Sequence, residues 1–515
     1  MKLKTSTALL SIGFATLTAA PALADITADD IWNSYQVIAE TVGGELTATT
    51  TRDGNTVTFA DAKLHLVFPG DEASLDVLYP TLSYTDNGDG TLSMDLEGAQ
   101  TYSFVLSGPE PETDRFSADM IITYSDAELV ASGDPDDITF SYAMDGFDFE
   151  FQNIDLSGLK DAEISENAVF TLTGTGSAVN GTSRLSLGDL ITLAGQSEIS
   201  GMGYSMTVEN MQGAVTTTTA SYGEMVSQST ITLPTGGMSF MNLAAALHQG
   251  LSLEGTGTYG SSKTQTSVMM NGEQVSSQTM TAGSSTSALS ANAEAVQLTA
   301  KGSNIGIDAL INIGMALSIE AKIDQVTGDF RMPVSASDEQ QNFTMAFGFT
   351  GLDLGDGIWS MFDPAEVLPR DPANVSVNLT GQTTLTQDLL NFVEMMALDN
   401  DDIPLELNAL TIKDFLISAA GASLSGTGDF AFNNDDLTSF DGMPAPSGSA
   451  NLQLNGANGL IDRLIEMGLV QESDAMGVRM MMGMMAVPGE GDDSLKSEIE
   501  ITEDGQITAN GQRIK

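Results

Sequence analysis

The chain has 515 residues, with 70 acidic against 18 basic side chains, no cysteine and a formal net charge of −52 at pH 7. Such a field repels nucleic acid and anionic membrane surfaces, and without thiols there is no disulfide staple, cysteine nucleophile or thiolate ligand. Hydrophobic residues still make up 41% of the chain, so it is no disordered acidic tail.

The first element reads as an export signal. Lys2 and Lys4 form a basic start, Ala8 to Ala20 is mainly apolar, and Pro21-Ala-Leu-Ala24 places small residues where a signal peptidase cuts. Residues 1–24 are expected to be a signal peptide cleaved after Ala24, which leaves a periplasmic protein starting at Asp25. The missing cysteine excludes a lipoprotein anchor. No later stretch approaches about 18 uninterrupted apolar residues, so no transmembrane segment is expected after cleavage.

A helix should follow. Thr27 and Asp30 have capping-box spacing, Ile31, Tyr35, Ile38 and Val42 share a face, and Gly43-Gly44 ends it. Its expected role is to plug the end of a sheet. From Glu45 the period changes to two. Segments such as TVTFADAKLHLVF (56–68), FSADMIITYSDAELVASG (116–133) and DITFSYAMDGFDFEF (137–151) alternate, and turn residues recur every ten or so positions. This is the pattern of antiparallel meanders. Leu-x-Gly-Thr-Gly occurs at 172–176, 253–257 and 424–428. In a strand its two glycines share one face and leave it bare, for close packing or for something laid against it, which suggests repeated sheet units.

The Ser/Thr/Gly-rich region 260–300 keeps its alternation and reads as strands with exposed faces, with Asn271-Gly272 as a hairpin turn. Short helices are expected at 239–250, 386–399, 458–468 and from Ser473 to about Val487. Three prolines in Pro364 to Pro372 mark a boundary, dividing 25–363, a β-rich region opening with a capping helix, from 364–515, a β-rich region with three short helices and a closing hairpin.

The helix at 473–487 carries the run VRMMMGMMAV (478–487). Met476, Met480, Met484 and Val487 form one stripe, with Met481 and Met485 beside it. Thioethers select Cu(I), but no histidine or cysteine stands near to complete a site. Core filling is the first reading, since methionine packs irregular gaps. The alternative is an apolar ligand surface, whose contacts would be Met480, Met481, Met484 and Met485.

His65 and His248 are the only imidazoles. The first alternates with leucines on a strand and should face solvent; the second falls in the last turn of a helix. Two scattered histidines argue against zinc sites and Ser-His-Asp triads. Gly255 to Gly260 matches G-x-G-x-x-G, yet no helix pattern follows to present its N-terminus to a phosphate. Acidic turns at 86–90, 134–137, 399–402 and 433–436 are oxygen-rich, and none has EF-hand spacing. Aromatic residues are 6%, too few for the girdles of an outer-membrane barrel.

Four segments, GIWSMFDPAEVLPRDPANVSVNLTG (357–381), GASLSGTGDFAFNNDD (421–436), MPAPSGSANLQLNGANGLIDRLIEMGLV (443–470) and SLKSEIEITEDGQITANGQRI (494–514), resemble an exported proteobacterial family, domain of unknown function 2125. The likeness covers most of the chain beyond the leader and implies no activity and no catalytic residues. A fainter likeness, in style only, is to AsmA-like envelope proteins, which handle lipid in a greasy groove of a long curved sheet.

The expected fold is mainly β: elongated, curved antiparallel sheet or sheets built of meanders, with short capping helices. The expected function is a non-catalytic periplasmic cell-envelope protein holding an apolar ligand, such as a lipid acyl chain, against a curved sheet, with no cofactor and no metal. Lipid or another envelope protein is the expected partner. The alternative is a secreted calcium-dependent structural or adhesive β-protein.

Overall fold

The computed structural model describes residues 26–68, 73–108, 115–155, 169–210, 213–312, 316–399 and 403–514. The expected signal peptide lies outside them, as do three residues of the acidic turn at 399–402. The chain divides into two units, residues 1–275 with 289–293, and residues 276–288 with 294–515. The proline segment 364–372 lies within the second unit.

Helix α1 (Ala28–Thr41) opens the first unit with the expected capping box: the Thr27 hydroxyl accepts from Asp30 N at 3.3 Å, and the Asp30 carboxylate accepts from Thr27 N at 2.9 Å. The helix ends where Gly43 takes a positive φ of 81°. Nine strands follow: β1 (Gly44–Asp53), β2 (Thr56–Phe68), β3 (Ala73–Leu78), β4 (Leu82–Asp86), β5 (Leu92–Met94), β6 (Ala99–Ser107), β7 (Arg115–Ser125), β8 (Glu128–Asp134) and β9 (Asp137–Asp155).

Long strands here are matched by two short ones end to end. One edge of β2 pairs with β1; the other is shared by β3, along Lys63–Phe68, and β4, along Thr56–Phe59. β9 is shared likewise by β8 and β7. Helix α1 covers this sheet. Trp32 stacks on Phe59 at 4.6 Å, Tyr35 on Phe140 at 6.3 Å, and Ile31 is wholly buried. The helix is thus a plug filling the first unit's core.

The first unit continues through β10 (Val169–Leu187), β11 (Leu190–Glu209), β12 (Ala214–Tyr222), β13 (Met225–Pro234), helix α2 (Leu243–His248), β14 (Ser252–Tyr259) and β15 (Ser262–Met270). β12 and β13 share the edge of β11. β9 runs beside β10: Leu187 N donates to Asp136 O at 2.7 Å, and Arg184 and Ser186 both reach the Asp137 carboxylate. The bare glycines of the first Leu-x-Gly-Thr-Gly are filled from next door. A Cβ at Gly174 would collide with the ring of Phe149, and one at Gly176 with that of Phe147.

β16 (Glu273–Ala282) and β17 (Ser285–Ala291) straddle the division between units, and the turn into β16 is made by Asn271 and Gly272, with φ of 53° and 83°. The second unit then runs β18 (Ala295–Asn312), β19 (Ala316–Pro333), β20 (Gln341–Leu354), helix α3 (Asp356–Phe362), β21 (Ala373–Leu385), helix α4 (Phe392–Met396), β22 (Leu405–Ala419), β23 (Ala422–Asn433), β24 (Ala445–Asn455), helices α5 (Ala457–Glu466) and α6 (Glu472–Met485), β25 (Val487–Pro488), β26 (Ser494–Ile501), β27 (Ile507–Ala509) and β28 (Gln512–Arg513). From β18 to β24 each strand pairs antiparallel with the next, and β24 pairs with β26. The closing hairpin is β26–β27.

Helix α3 was not expected. It leads into the proline segment, where the buried Asp363 carboxylate accepts from Val367 N and Leu368 N, both at 2.9 Å, and Arg370 lies over the Trp359 ring at 5.4 Å. The prolines therefore end a helix and turn the chain into β21.

Candidate functional site

The two faces of the second unit's sheet separate by chemistry. Register pairs Leu298 with Phe330, Ala300 with Gly328 and Gly302 with Val326; one position along, Thr299 meets Asp329 and Lys301 meets Thr327. The apolar face continues across β20 as Met345 and Phe347, β21 as Leu379 and Val377, and β22 as Ile412 and Phe415. Leu424 opposes Leu454, and Ile499 on β26 opposes Ala450. Alternation in sequence, interrupted in β22 by a register shift between Ile412 and Phe415, produces this separation, because neighbouring residues of a regular strand point to opposite faces.

A sheet face of this kind normally buries itself against another layer. In the first unit it does, and the contiguous buried core lies wholly within residues 26–233. In the second unit Leu298 is 47% exposed, Met345 46%, Phe347 54% and Ile417 45%, and from β18 to β24 Leu385 is the one large aliphatic side chain of this face that is fully buried. Side chains shield one another along the ladders, yet Leu298, Met345, Phe347 and Ile417 stay about half in water. Glycines here are again filled by neighbours: a Cβ at Gly381 would strike Phe343, and one at Gly426 would strike Leu452.

Helix α6 stands beside this face. Its last carbonyl, Met485 O, accepts from Ser497 Oγ at 2.5 Å and Asn510 Nδ2 at 3.0 Å. Ser497 lies on the apolar side of β26, opposite Leu452. Arg479 ties the helix back to α5 through Asp462 at 2.6 Å and Asn458 Oδ1 at 3.2 Å. The methionines do not fill a core. Met476, Met480, Met481 and Met484 are 64%, 64%, 53% and 59% exposed, and Met485 is half-buried. The only buried side chain of the helix is Ala475. A helical period shows that apolar residues share a stripe; it does not show which way the stripe faces.

The remaining candidates are accounted for locally. His65 Nδ1 lies 2.6 Å from Asp76, which also meets Lys63 Nζ at 2.9 Å. Partial burial raises the Asp76 carboxyl, but the bonds to Lys63 and His65 outweigh it and hold the group below the ordinary carboxylate range. His248 falls in the last turn of α2, as expected. Gly255 to Tyr259 lies on β14 and Gly260 in the turn to β15, so a strand and no helix follows the motif. In two of the acidic turns, 86–90 and 433–436, carboxylates are engaged by donors in or just after the same turn. Asp86 accepts from Gly88 N and Asp89 from Thr91, while bonds from Ser439 and Thr438 bring the Asp436 carboxyl down to about 2. Among the described residues no three potential His or carboxylate ligands gather into a metal-sized group. The polar face of the first unit carries a shallow depression of about 480 Å³ lined by Thr182, Arg184, Gln196, Gln228 and Glu254.

No helix among the described residues is long and apolar enough to cross a membrane. No curated protein and no solved structure is significantly similar to the chain. The model of one family, described as an uncharacterized protein conserved in bacteria (DUF2125), matches residues 238–513. That stretch takes in the whole of β18 to β28 with the uncovered face and helix α6, and being more than half of the sequence it establishes that the chain belongs to this family.

Proposed function

We propose that the protein is a non-catalytic periplasmic component of the cell envelope that holds a lipid acyl chain against the apolar face of its second unit. The observation that carries this reading is the uncovered face itself. Apolar surface left in water over several strands marks an interaction site. Its occupant has to be apolar and needs no particular hydrogen-bond partner, because this side of the ladders offers methyl, thioether and phenyl groups. At about 0.8 kcal/mol per buried methylene, covering half of a chain of about sixteen carbons supplies roughly 6 kcal/mol before the cost of immobilising it. The basic, apolar and small-residue order of residues 1–24, the pattern of a signal peptide, supports the periplasmic assignment.

Native mass spectrometry of protein purified from periplasm, followed by organic extraction, tests the reading. A near-stoichiometric fatty acid or phospholipid is expected. Protein that carries no lipid, and does not enhance the fluorescence of an added polyene fatty acid, sinks it. The calcium-dependent alternative has less support, since the Asp86, Asp89 and Asp436 carboxylates are engaged by donors in or just after their own turns. Calcium-dependent melting would favour it.

A further inference from the structure

Helix α6 turns its apolar ridge the wrong way for a core. Met476, Met480 and Met484 recur every fourth residue and lie on one side, with Met481 next to them, while Ala475 on the opposite side makes the packing contact. The helix is not merely frayed outward. Arg479 anchors its middle and Met485 O its end, so the exposed ridge is held in place. Fourteen residues give it a length of about 21 Å, enough to lie along a surface and too short to cross one.

Charge selects what can cover the ridge. The chain carries −52, and α6 itself adds Glu472 and Asp474 against Arg479, which is already paired with Asp462. A second copy or an anionic membrane would have to approach against that field. A bilayer of net-neutral headgroups meets no such barrier, and flexible methionines adapt to its irregular interior. We propose that α6 seats the protein on a zwitterionic lipid bilayer and is the entry by which acyl chains reach the adjoining apolar face. This rests on the acyl-chain reading above and names where the ligand comes from.

The test uses the full mature chain and vesicles of phosphatidylcholine. Flotation with the vesicles and transfer of a fluorescent phospholipid from them are measured for the native protein and for the double variant Met480→Asp, Met484→Asp. Both positions are exposed, and a circular dichroism spectrum checks that the fold is kept. The native protein is expected to float, and the variant to lose at least tenfold in both bound fraction and transfer rate. Vesicles of phosphatidylglycerol should capture less protein at low salt and more as salt screens the repulsion. A native protein that does not float, or a variant that floats and takes up lipid as the native does, overturns the proposal. Self-association abolished by the same substitutions, without vesicle binding, also overturns it and assigns the ridge to a second copy. Lipid carried from the periplasm by protein that fails to float sinks the membrane seat alone; a native protein without lipid sinks the acyl-chain reading itself.

Discussion

Replacing Phe347 by Ala separates an open apolar face from a covered one. Phe347 sits on β20 between Gly328 and Val377, and 54% of it remains in water. Complete burial of a phenylalanine side chain is worth about 1.5–3 kcal/mol, so its partial burial stabilises the second unit by about 1 kcal/mol. Removing a buried aromatic such as Phe59, 1% exposed, costs about 3–5 kcal/mol instead, because a cavity is left as well. The assay is urea unfolding of lipid-stripped protein followed by tryptophan fluorescence. There are two tryptophans, Trp32 on α1 and Trp359 on α3, one in each unit. In a Trp32→Phe background Trp359 alone reports the second unit. A loss of about 1 kcal/mol is expected for Phe347→Ala, with a larger loss of ligand-induced stabilisation when lipid is restored. A loss of about 3 kcal/mol or more in the lipid-free protein would refute the reasoning, since only a residue packed under a cover behaves so.

Other outcomes follow from the first unit. Thr27→Ala removes the hydroxyl that accepts from Asp30 N, leaving the backbone half of the capping box, and should lower the stability reported by Trp32 by about 1 kcal/mol, while Thr27→Ser retains it. Burial pushes the Tyr35 hydroxyl up to about 12 and raises Tyr84 well above its ordinary value. Their contribution is therefore intact below about pH 10 and lost as pH climbs through the raised values, so tyrosinate absorbance should appear together with unfolding near pH 12. Gly174→Val drives a side chain into the Phe149 ring and should cost about 1–3 kcal/mol by urea unfolding, with Phe149→Ala in the same chain recovering part of the loss.

Much of the architecture was legible in period and punctuation. The capping box at Thr27, the hairpin at Asn271-Gly272 and the strands β2, β7, β8 and β9 each stand where the residues put them. Helix lengths were less legible, because tertiary bonds compete for their ends. The helix expected at 386–399 shrinks to Phe392–Met396, since Leu389 N donates to Val334 O and the Asp388 side chain accepts from Ala336 N. The one expected at 239–250 starts only at Leu243, after a bridge between Ser239 and Asn242. At α6 the cap is Gln471 in place of Ser473. Helix α3, seven residues between a strand and a proline, is too short to show a period. The open face was half legible: alternation separates apolar from polar positions within a strand, but only the register brings Leu298, Phe330 and Phe347 to one side and only tertiary structure shows how much of them stays exposed. The methionines of α6 were open to both core and surface for the same reason.

The ladders of the second unit have a consequence for assembly. From β18 to β24 every strand hydrogen-bonds to its immediate successor in the chain, so closing each new pair spans only the connection between them, from two residues at β22–β23 to nineteen at β21–β22. The entropic penalty of each step grows only slowly with that length. Such a meander can grow as a zipper, one strand docking on the last, without waiting for a distant partner. A polypeptide supplied from one end at finite speed could then acquire native structure at its leading portion while the remainder is still unfolded.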